Sequence, residues 1–180
     1  MKRLCLCLLG LALLLAGCGG GREAAERETF AEALNARRDL RFTAAVRAEY
    51  PDKTVRYRLS YEEDEAGCTL RVLEPEEIAG VALRLDAAGA QLRFEGVSLD
   101  PGPLDRYGLS PASALPALVR ALRGGQLESA WTEDDETLWE LAADDELTVQ
   151  VRLDAALTPQ HAELISEGRV AVSVDIADWS

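Results

Sequence analysis

The most regular feature of the chain is an alternation of apolar and polar residues that begins at residue 41. Within the segment 41–50, apolar side chains occupy every second position. Because successive side chains of a strand point to opposite faces, this pattern predicts a strand with one buried face. Turns rich in proline, glycine or acidic residues separate further segments of this kind, at 55–62, 68–73, 81–86 and 91–94. These segments predict an antiparallel meander, whose last strand Val97 and Leu99 are expected to extend.

Two other segments have the pattern of helices. Residues 22–39 contain no proline or glycine and mix alanine, leucine and phenylalanine with charged residues, which predicts an amphipathic helix on the outside of the domain. Residues 111–123 predict a second helix, which Ser110 caps and a glycine pair ends. Pro116 lies inside this helix and is expected to kink or restart it.

The last third of the chain returns to the period of strands. Alternation predicts strands around 139–141, at 147–153 and at 169–177. Residues 161–166 fit a short helix or a strand, and we prefer a strand because Glu167 and Gly168 suit a two-residue hairpin turn. The order of helix, about five strands, helix and three or four strands predicts an α+β fold, in which a curved antiparallel sheet has its concave face covered by the helices.

The N-terminus has the pattern of a bacterial lipoprotein signal. Two basic residues precede an uncharged apolar run that is too short to span a bilayer. The sequence Leu15-Ala16-Gly17-Cys18 matches the lipobox, whose cysteine receives a diacylglyceryl group after cleavage behind Gly17. We therefore predict a signal peptide at 1–17, a lipidated cysteine with a glycine tether at 18–21, and one domain at 22–180. The alternative is an ordinary signal peptide, or a retained anchor, with a chance cysteine.

Lipidation of Cys18 would attach the protein to a membrane, because two acyl chains hold a protein stably at a bilayer. We therefore expect a membrane as a partner of the protein, with an envelope protein as a possible second one. The loss of Lys2 and Arg3 with the signal leaves 17 basic against 32 acidic residues, a formal charge of −15. This acidity argues against a nucleic-acid partner. We expect an extracytoplasmic location, on the cell membrane of a monoderm or the outer membrane of a diderm.

Few residues offer catalytic or metal-binding chemistry. His161 is the single histidine, and Cys68 is the single cysteine outside the signal and the lipobox. A buried structural thiol is the preferred interpretation of Cys68, with a reactive thiol as the alternative. The sequence contains no nucleophile elbow, P-loop or EF-hand spacing, and its acidic runs fit solvated turns between strands. A pair of carboxylates suited to glycoside chemistry stays open, but we predict no enzyme, cofactor or metal site.

Apolar strand faces suggest where a ligand would bind. Aromatic and aliphatic residues on these faces fit either an ordinary core or the lining of an apolar cavity for acyl chains. The candidate lining residues are Phe42, Val46, Tyr57, Leu59 and Phe94.

The chain resembles the LolA/LolB-like lipoprotein-carrier superfamily over residues 22–180. The resemblance rests on the N-terminal helix before a meander, on residues 75–81 leading to 92–96, and on the last hairpin, 159–179. It implies an incomplete antiparallel barrel lidded by helices, an apolar cavity for acyl chains, and a role in lipoprotein or lipid handling. The predicted anchor departs from soluble LolA and is closer to LolB or to membrane-held LolA-like lipoproteins. Among the latter, the clostridial spore germination lipoprotein is similar in plan and acts by binding a cell-wall amidase.

Two functions follow as hypotheses. The first is an anchored, non-enzymatic lipoprotein that binds a lipid or the acyl chains of another lipoprotein in the cell envelope. The second is a non-enzymatic scaffold with a closed core that binds an envelope protein, in envelope or spore assembly. A cavity of several hundred Å³ would favour the first hypothesis, and a sheet filled by its own side chains would favour the second.

Overall fold

The computed structural model describes residues 20–102 and 109–180. The signal peptide predicted at 1–17 and the lipidation site at Cys18 lie outside these ranges. The described elements, in chain order, are α1 (Gly20–Ala36), β1 (Leu40–Tyr50), β2 (Lys53–Asp64), β3 (Gly67–Glu74), a 3-10 turn (Glu76–Ile78), β4 (Ala82–Asp86), β5 (Gly89–Phe94), β6 (Val97–Leu99), α2 (Pro111–Gly124), β7 (Gln126–Glu133), β8 (Glu136–Ala142), β9 (Leu147–Leu153), β10 (Pro159–Ser166) and β11 (Arg169–Ala177).

All eleven described strands form one open antiparallel sheet. Their order is β6-β5-β4-β3-β2-β1-β11-β10-β9-β8-β7, so that β6 and β7 are the two free edges among the described strands. The two halves of the chain meet where β1 pairs with β11. The prediction of an α+β fold with a sheet that does not close is therefore confirmed.

The helices cover part of the apolar face of this sheet. The chain leaves the sheet at one edge, β6, and re-enters it at the other, β7, and α2 lies between them in sequence. α2 packs against β1, β8 and β10, while α1 packs on α2 and β7. Seven of the fourteen residues of α2 are buried, so this helix supplies much of the core. The predicted Ser110 cap is present, and Ser113 completes a capping box with it.

Three local predictions need correction. Val97 and Leu99 form a separate strand, because Glu95 and Gly96 both have positive φ, at 48° and 81°, and reverse the chain. β7 was not predicted, since a register shift between Leu127 and Ser129 interrupts its alternation. α2 continues through Pro116 as one helix and does not restart there.

The predicted glycine tether is also shorter than expected. α1 begins at Gly20, so that Gly20 and Gly21 belong to its first turn. Glycine is tolerated there because the first amide groups of a helix make no intrahelical hydrogen bond, and Glu23 in the same turn favours the positive end of the helix.

A buried arginine joins the two helices. The Nη2 of Arg27 in α1 donates to the carbonyl oxygens of Ala121, at 2.9 Å, and Gly125, at 3.1 Å, at the end of α2. Only 6% of Arg27 is exposed, and this burial lowers the pKa of its guanidinium. The cation thus lies at the negative end of the α2 dipole. It donates to the Gly125 carbonyl and is a second donor to the Ala121 carbonyl, which also accepts the Gly125 N–H at 2.8 Å.

Replacement of Arg27 by methionine is expected to lower the free energy of unfolding by about 2 kcal/mol, because the Gly125 carbonyl loses its described donor and the Ala121 carbonyl keeps only the Gly125 N–H. Urea unfolding followed by circular dichroism measures this loss. Arg22→Met is the matched control, since Arg22 lies on the same helix with 84% of its side chain exposed, and it should leave the midpoint essentially unchanged. Equal midpoints for the two variants would contradict the capping role of Arg27.

Candidate functional site

An apolar cleft of about 250 Å³ lies over the inner face of β2 to β5. One wall is the N-terminal end of α2, and the floor is the sheet. The described residues that line the cleft are Tyr57, Leu59, Leu70, Arg71, Val72, Ile78, Val81, Leu83, Leu92, Pro101, Ser110, Pro111 and Ala112.

Strand register produces the floor of the cleft. Leu59 of β2 lies opposite Val72 of β3. On the neighbouring row, Leu83 of β4 lies opposite Leu70 on one side and Leu92 on the other. Directly opposed residues of an antiparallel sheet share a face, so these five side chains form one continuous apolar surface.

The cleft stays open because α2 covers only part of the sheet. α2 packs against β1, β8 and β10, which leaves the inner face of β3 to β5 without a covering helix among the described residues. The described chain approaches the cleft again only at Pro101 and at 110–112. The core is therefore closed over the C-terminal strands and open over the meander.

The chemistry of the cleft is that of a hydrocarbon site. Arg71 is the one ionisable side chain among its described lining residues apart from the Tyr57 phenol, and it is exposed. The cleft volume lies just below the range of about 300–1,000 Å³ that is typical of small-molecule sites. The arrangement can exclude water from an apolar ligand, and its described residues place no carboxylate or imidazole against that ligand.

The structure distributes the five candidate lining residues over three environments. Tyr57 and Leu59 line the cleft. Phe42 and Val46 are buried in the packed core of β1, where the Phe42 ring stacks at 4.8 Å on Tyr61 and at 5.0 Å on Trp179. Phe94 is 40% exposed at the end of β5 and is not among the described lining residues.

Sequence reasoning missed most of the lining. Leu70, Val72, Leu83 and Leu92 all lie in strands whose alternation was recognised, and the pairing of those strands places them beside Leu59. The pairing register of β2 to β5 is the signal that identifies these residues as one surface. Ile78, by contrast, lies in a 3-10 turn, and no alternation marks it.

The single histidine lies on an exposed strand surface, outside the cleft. His161 Nδ1 is 2.7 Å from Asp175 Oδ1, and its Nε2 is 3.9 Å from Glu163 Oε1. The contact with Asp175 joins β10 to β11 at directly opposed positions, whereas Glu163 lies on the same strand as His161. In the described part of the chain, no group of three or more histidine, cysteine or acidic residues is placed to hold a metal ion.

Cys68 is buried in β3 next to Tyr61, as expected from its place in the alternation. Burial raises the pKa of the Cys68 thiol. The thiol therefore stays protonated and contributes to packing, in agreement with the preferred interpretation from sequence.

No helix within residues 20–102 and 109–180 combines the length and apolarity needed to cross a membrane.

No protein-family model matches the sequence, and no curated protein matches it. Among solved structures, an uncharacterised conserved protein from Thermus thermophilus is similar, with 10% identity, a TM-score of 0.50, and coverage of 88% of this chain and 86% of that one. A LolA superfamily protein from Nitrosomonas europaea shows 15% identity and a TM-score of 0.45 over 87% of this chain and 92% of that one.

A third similar structure is that of the CwlD amidase from Clostridioides difficile in complex with the GerS lipoprotein. It shows 13% identity and a TM-score of 0.43, over 90% of this chain and 96% of the matched one. At such identities the similarity concerns the fold. A LolA superfamily protein is among the solved structures to which the chain is similar.

Proposed function

We propose that this protein is a membrane-anchored, extracytoplasmic lipoprotein whose cleft binds a lipid or the acyl chain of another lipoprotein. The apolar cleft over β2 to β5 is the observation that carries the proposal. The lipobox ending at Cys18 supports the anchor. Together they suggest a domain that is held near a bilayer and has an apolar surface that can shield a hydrocarbon chain from water.

The cleft would bind through burial of apolar surface. Each methylene group removed from water contributes about 0.8 kcal/mol. Leu59, Leu70 and Leu83 supply the surface against which such a chain would pack. Because one side of the cleft is open, the buried part of a ligand would be limited, and its release would be correspondingly easy. Reversible binding of this kind suits a carrier.

Non-enzymatic action is part of the proposal. The described lining of the cleft contains no carboxylate, histidine or cysteine, and its one charged side chain is that of Arg71. General acid–base catalysis requires a titratable group within hydrogen-bond reach of the reacting atoms. The proposed chemistry is therefore binding and release without bond cleavage.

Substitution of Val81 by glutamate in a soluble Cys18→Ala form is expected to weaken binding of a fluorescent fatty acid at least about tenfold, or 1.4 kcal/mol. Val81 is half-buried and lines the cleft, so a carboxylate there would place charge against the hydrocarbon chain. Titration followed by fluorescence measures the dissociation constant.

Val55→Glu is the control for this experiment. Val55 is also half-buried on the inner face, in β2, but lies outside the described lining of the cleft. It should bind the fatty acid as the parent does. Loss of binding in both variants would indicate a general effect of the added charge, and no binding by the parent protein would refute the carrier function.

The anchor is tested separately by mass spectrometry of the native protein purified in detergent. A diacylglyceryl group on Cys18, in a chain that lacks residues 1–17, is the expected result. A chain that keeps its first 17 residues, or carries an unmodified Cys18, would refute the anchor without affecting the cleft.

Exposed apolar residues at one sheet edge support a second candidate function, the binding of an envelope protein. Phe94 lies opposite Val97, and Leu92 lies opposite Leu99, at the free edge formed by β5 and β6. Val97 and Leu99 are each 58% exposed. Exposed apolar patches are characteristic of interaction sites. If the parent protein binds no fatty acid, this scaffold function becomes the preferred one.

A further inference from the structure

A second apolar groove, of about 410 Å³, runs along α1 beside the face of that helix that is buried in the domain. Its described lining residues are Arg22, Ala25, Glu26, Thr29, Phe30, Ala33, Ala156 and Leu157. It shares no described lining residue with the cleft over β2 to β5. It is therefore a separate site, formed between α1 and the loop that joins β9 to β10.

The helix side of the groove has an ion pair at its N-terminal end, where Arg22 Nε lies 2.9 Å from Glu26 Oε1, and small side chains beyond it. Ala25, Thr29 and Ala33 follow one another at intervals of four residues and so lie on one face of α1. The Thr29 hydroxyl donates to the Ala25 carbonyl oxygen at 2.9 Å, so its hydrogen-bonding capacity as a donor is used within the helix. Phe30 is fixed by an edge-to-face contact with Trp139, at 5.3 Å between ring centres.

The loop side of the groove holds Leu157 in a conformation that is rare for a leucine. Its φ is +59°, in the left-handed region that is costly for any residue with a Cβ atom. Strained residues of this kind concentrate at functional sites, because the surrounding structure has to hold them in place. Here the strain places a leucine side chain against α1.

Asp154 is the residue that maintains this conformation. Its carboxylate accepts hydrogen bonds from the backbone N–H groups of Ala156, at 2.8 Å, and Thr158, at 2.9 Å, and from the Gln160 side chain at 3.0 Å. The Leu157 N–H donates to the Asp154 carbonyl oxygen at 2.9 Å. The bonds to the carboxylate, that from Thr158 first, lower the pKa of Asp154. These hydrogen bonds, all within residues 154–160, hold the loop in its conformation.

The position of the groove points to its occupant. α1 begins at Gly20, two residues after Cys18, and two residues span at most about 7 Å. The groove then extends from Arg22 to Ala33, a distance of about 16 Å at 1.5 Å per helical residue. A lipid attached to Cys18 would therefore emerge beside one end of an apolar channel that follows the helix.

We propose that the groove between α1 and Leu157 seats the proximal part of an acyl chain attached through Cys18, on its way into the bilayer. This inference rests on the proposed acylation of Cys18. The distal part of the chain stays in the membrane, so the groove needs to cover only the first methylene groups. As a consequence α1 lies along the membrane surface, and the domain has one preferred orientation instead of swinging freely on a tether.

Photo-crosslinking of the full acylated protein in phosphatidylcholine vesicles tests this placement. Benzoylphenylalanine is incorporated at Thr29, which lines the groove, or at Glu28, its exposed neighbour outside the groove. After irradiation and proteolysis, mass spectrometry is expected to find the peptide of residue 29 joined to the protein's own N-terminal lipopeptide. The yield should be several-fold higher at position 29 than at position 28.

Leu157→Gly provides a second readout that spares the fold, because glycine adopts a positive φ without strain. It should reduce the crosslink from position 29 while leaving the protein folded. Equal yields at positions 28 and 29, or crosslinks from position 29 to vesicle lipid alone, would overturn the proposal. An acylated Cys18 without the crosslink overturns the groove assignment by itself, whereas an unmodified Cys18 overturns the anchor and the groove together.

Discussion

Trp139→Ala is expected to lower the free energy of unfolding by about 3–5 kcal/mol, the range typical of a buried tryptophan truncated to alanine. Trp139 is completely buried, at 0% exposure, on the inner face of β8. Phe30 packs against it edge to face, and the Arg27 guanidinium lies 5.9 Å from its ring centre. Its removal would leave a cavity where α1, α2 and the sheet meet. Urea unfolding monitored by far-ultraviolet circular dichroism measures the loss.

Trp131→Ala is the matched control, because the same substitution is made one strand away. Trp131 lies on the edge strand β7 and is 38% exposed. Its truncation should cost no more than about 1 kcal/mol, since much of the ring is already in water. Similar losses for the two variants would mean that the helical layer does not depend on the contacts described for Trp139.

Gly67→Ala should destabilise the protein by at least about 3 kcal/mol, because it combines a backbone conformation that suits only glycine with a direct clash. Gly67 begins β3 with φ at +143°. A Cβ atom there would stand 2.1 Å from the backbone oxygen of Leu85, in the paired strand β4. Relief of that contact requires a shift of β4, which forms part of the cleft floor. The free energy of unfolding and the affinity for fatty acid should therefore fall together.

Gly168→Ala separates the effect of conformation from that of the clash. Gly168 also has a positive φ, +71°, in the turn between β10 and β11, but no described atom lies within 4 Å of an added Cβ. The left-handed conformation alone costs about 1 kcal/mol. If Gly67→Ala were no more destabilising than Gly168→Ala, the close approach of β3 and β4 would not limit stability.

Much of the fold could be predicted because strand periodicity is strong in this sequence. β1, β9 and β11 alternate without interruption, and Glu167 and Gly168 mark the last hairpin. β7 escaped prediction because its bulge at Leu127 to Ser129 shifts the apolar residues off the period of two. Local pattern thus identified the strands whose apolar and polar residues alternate and missed β7, in which they do not.

The extent of the cleft could not be predicted from local sequence patterns, because it depends on where α2 packs on the sheet. Phe42, in β1, and Leu59, in β2, have equivalent alternation, and both project from the same face of the sheet. The difference between them is that the core closes over β1, where α2 packs, and stays open over β3 to β5. The path of α2 across the sheet is a tertiary property, so the sequence alone could name apolar faces but could not divide them into core and cleft.

The pairing of β1 with β11 has a consequence for how the chain folds. Thr43 lies opposite Ala177, and the backbone of Arg41 exchanges hydrogen bonds with Ser180. The central ladder of the sheet therefore joins the first strand to be synthesised with the last. Such long-range pairing slows folding, because the intervening chain has to be closed into a loop before any contact forms. We expect the complete sheet to form only after β11 has been synthesised, and late completion of this kind would suit the proposed export of the chain.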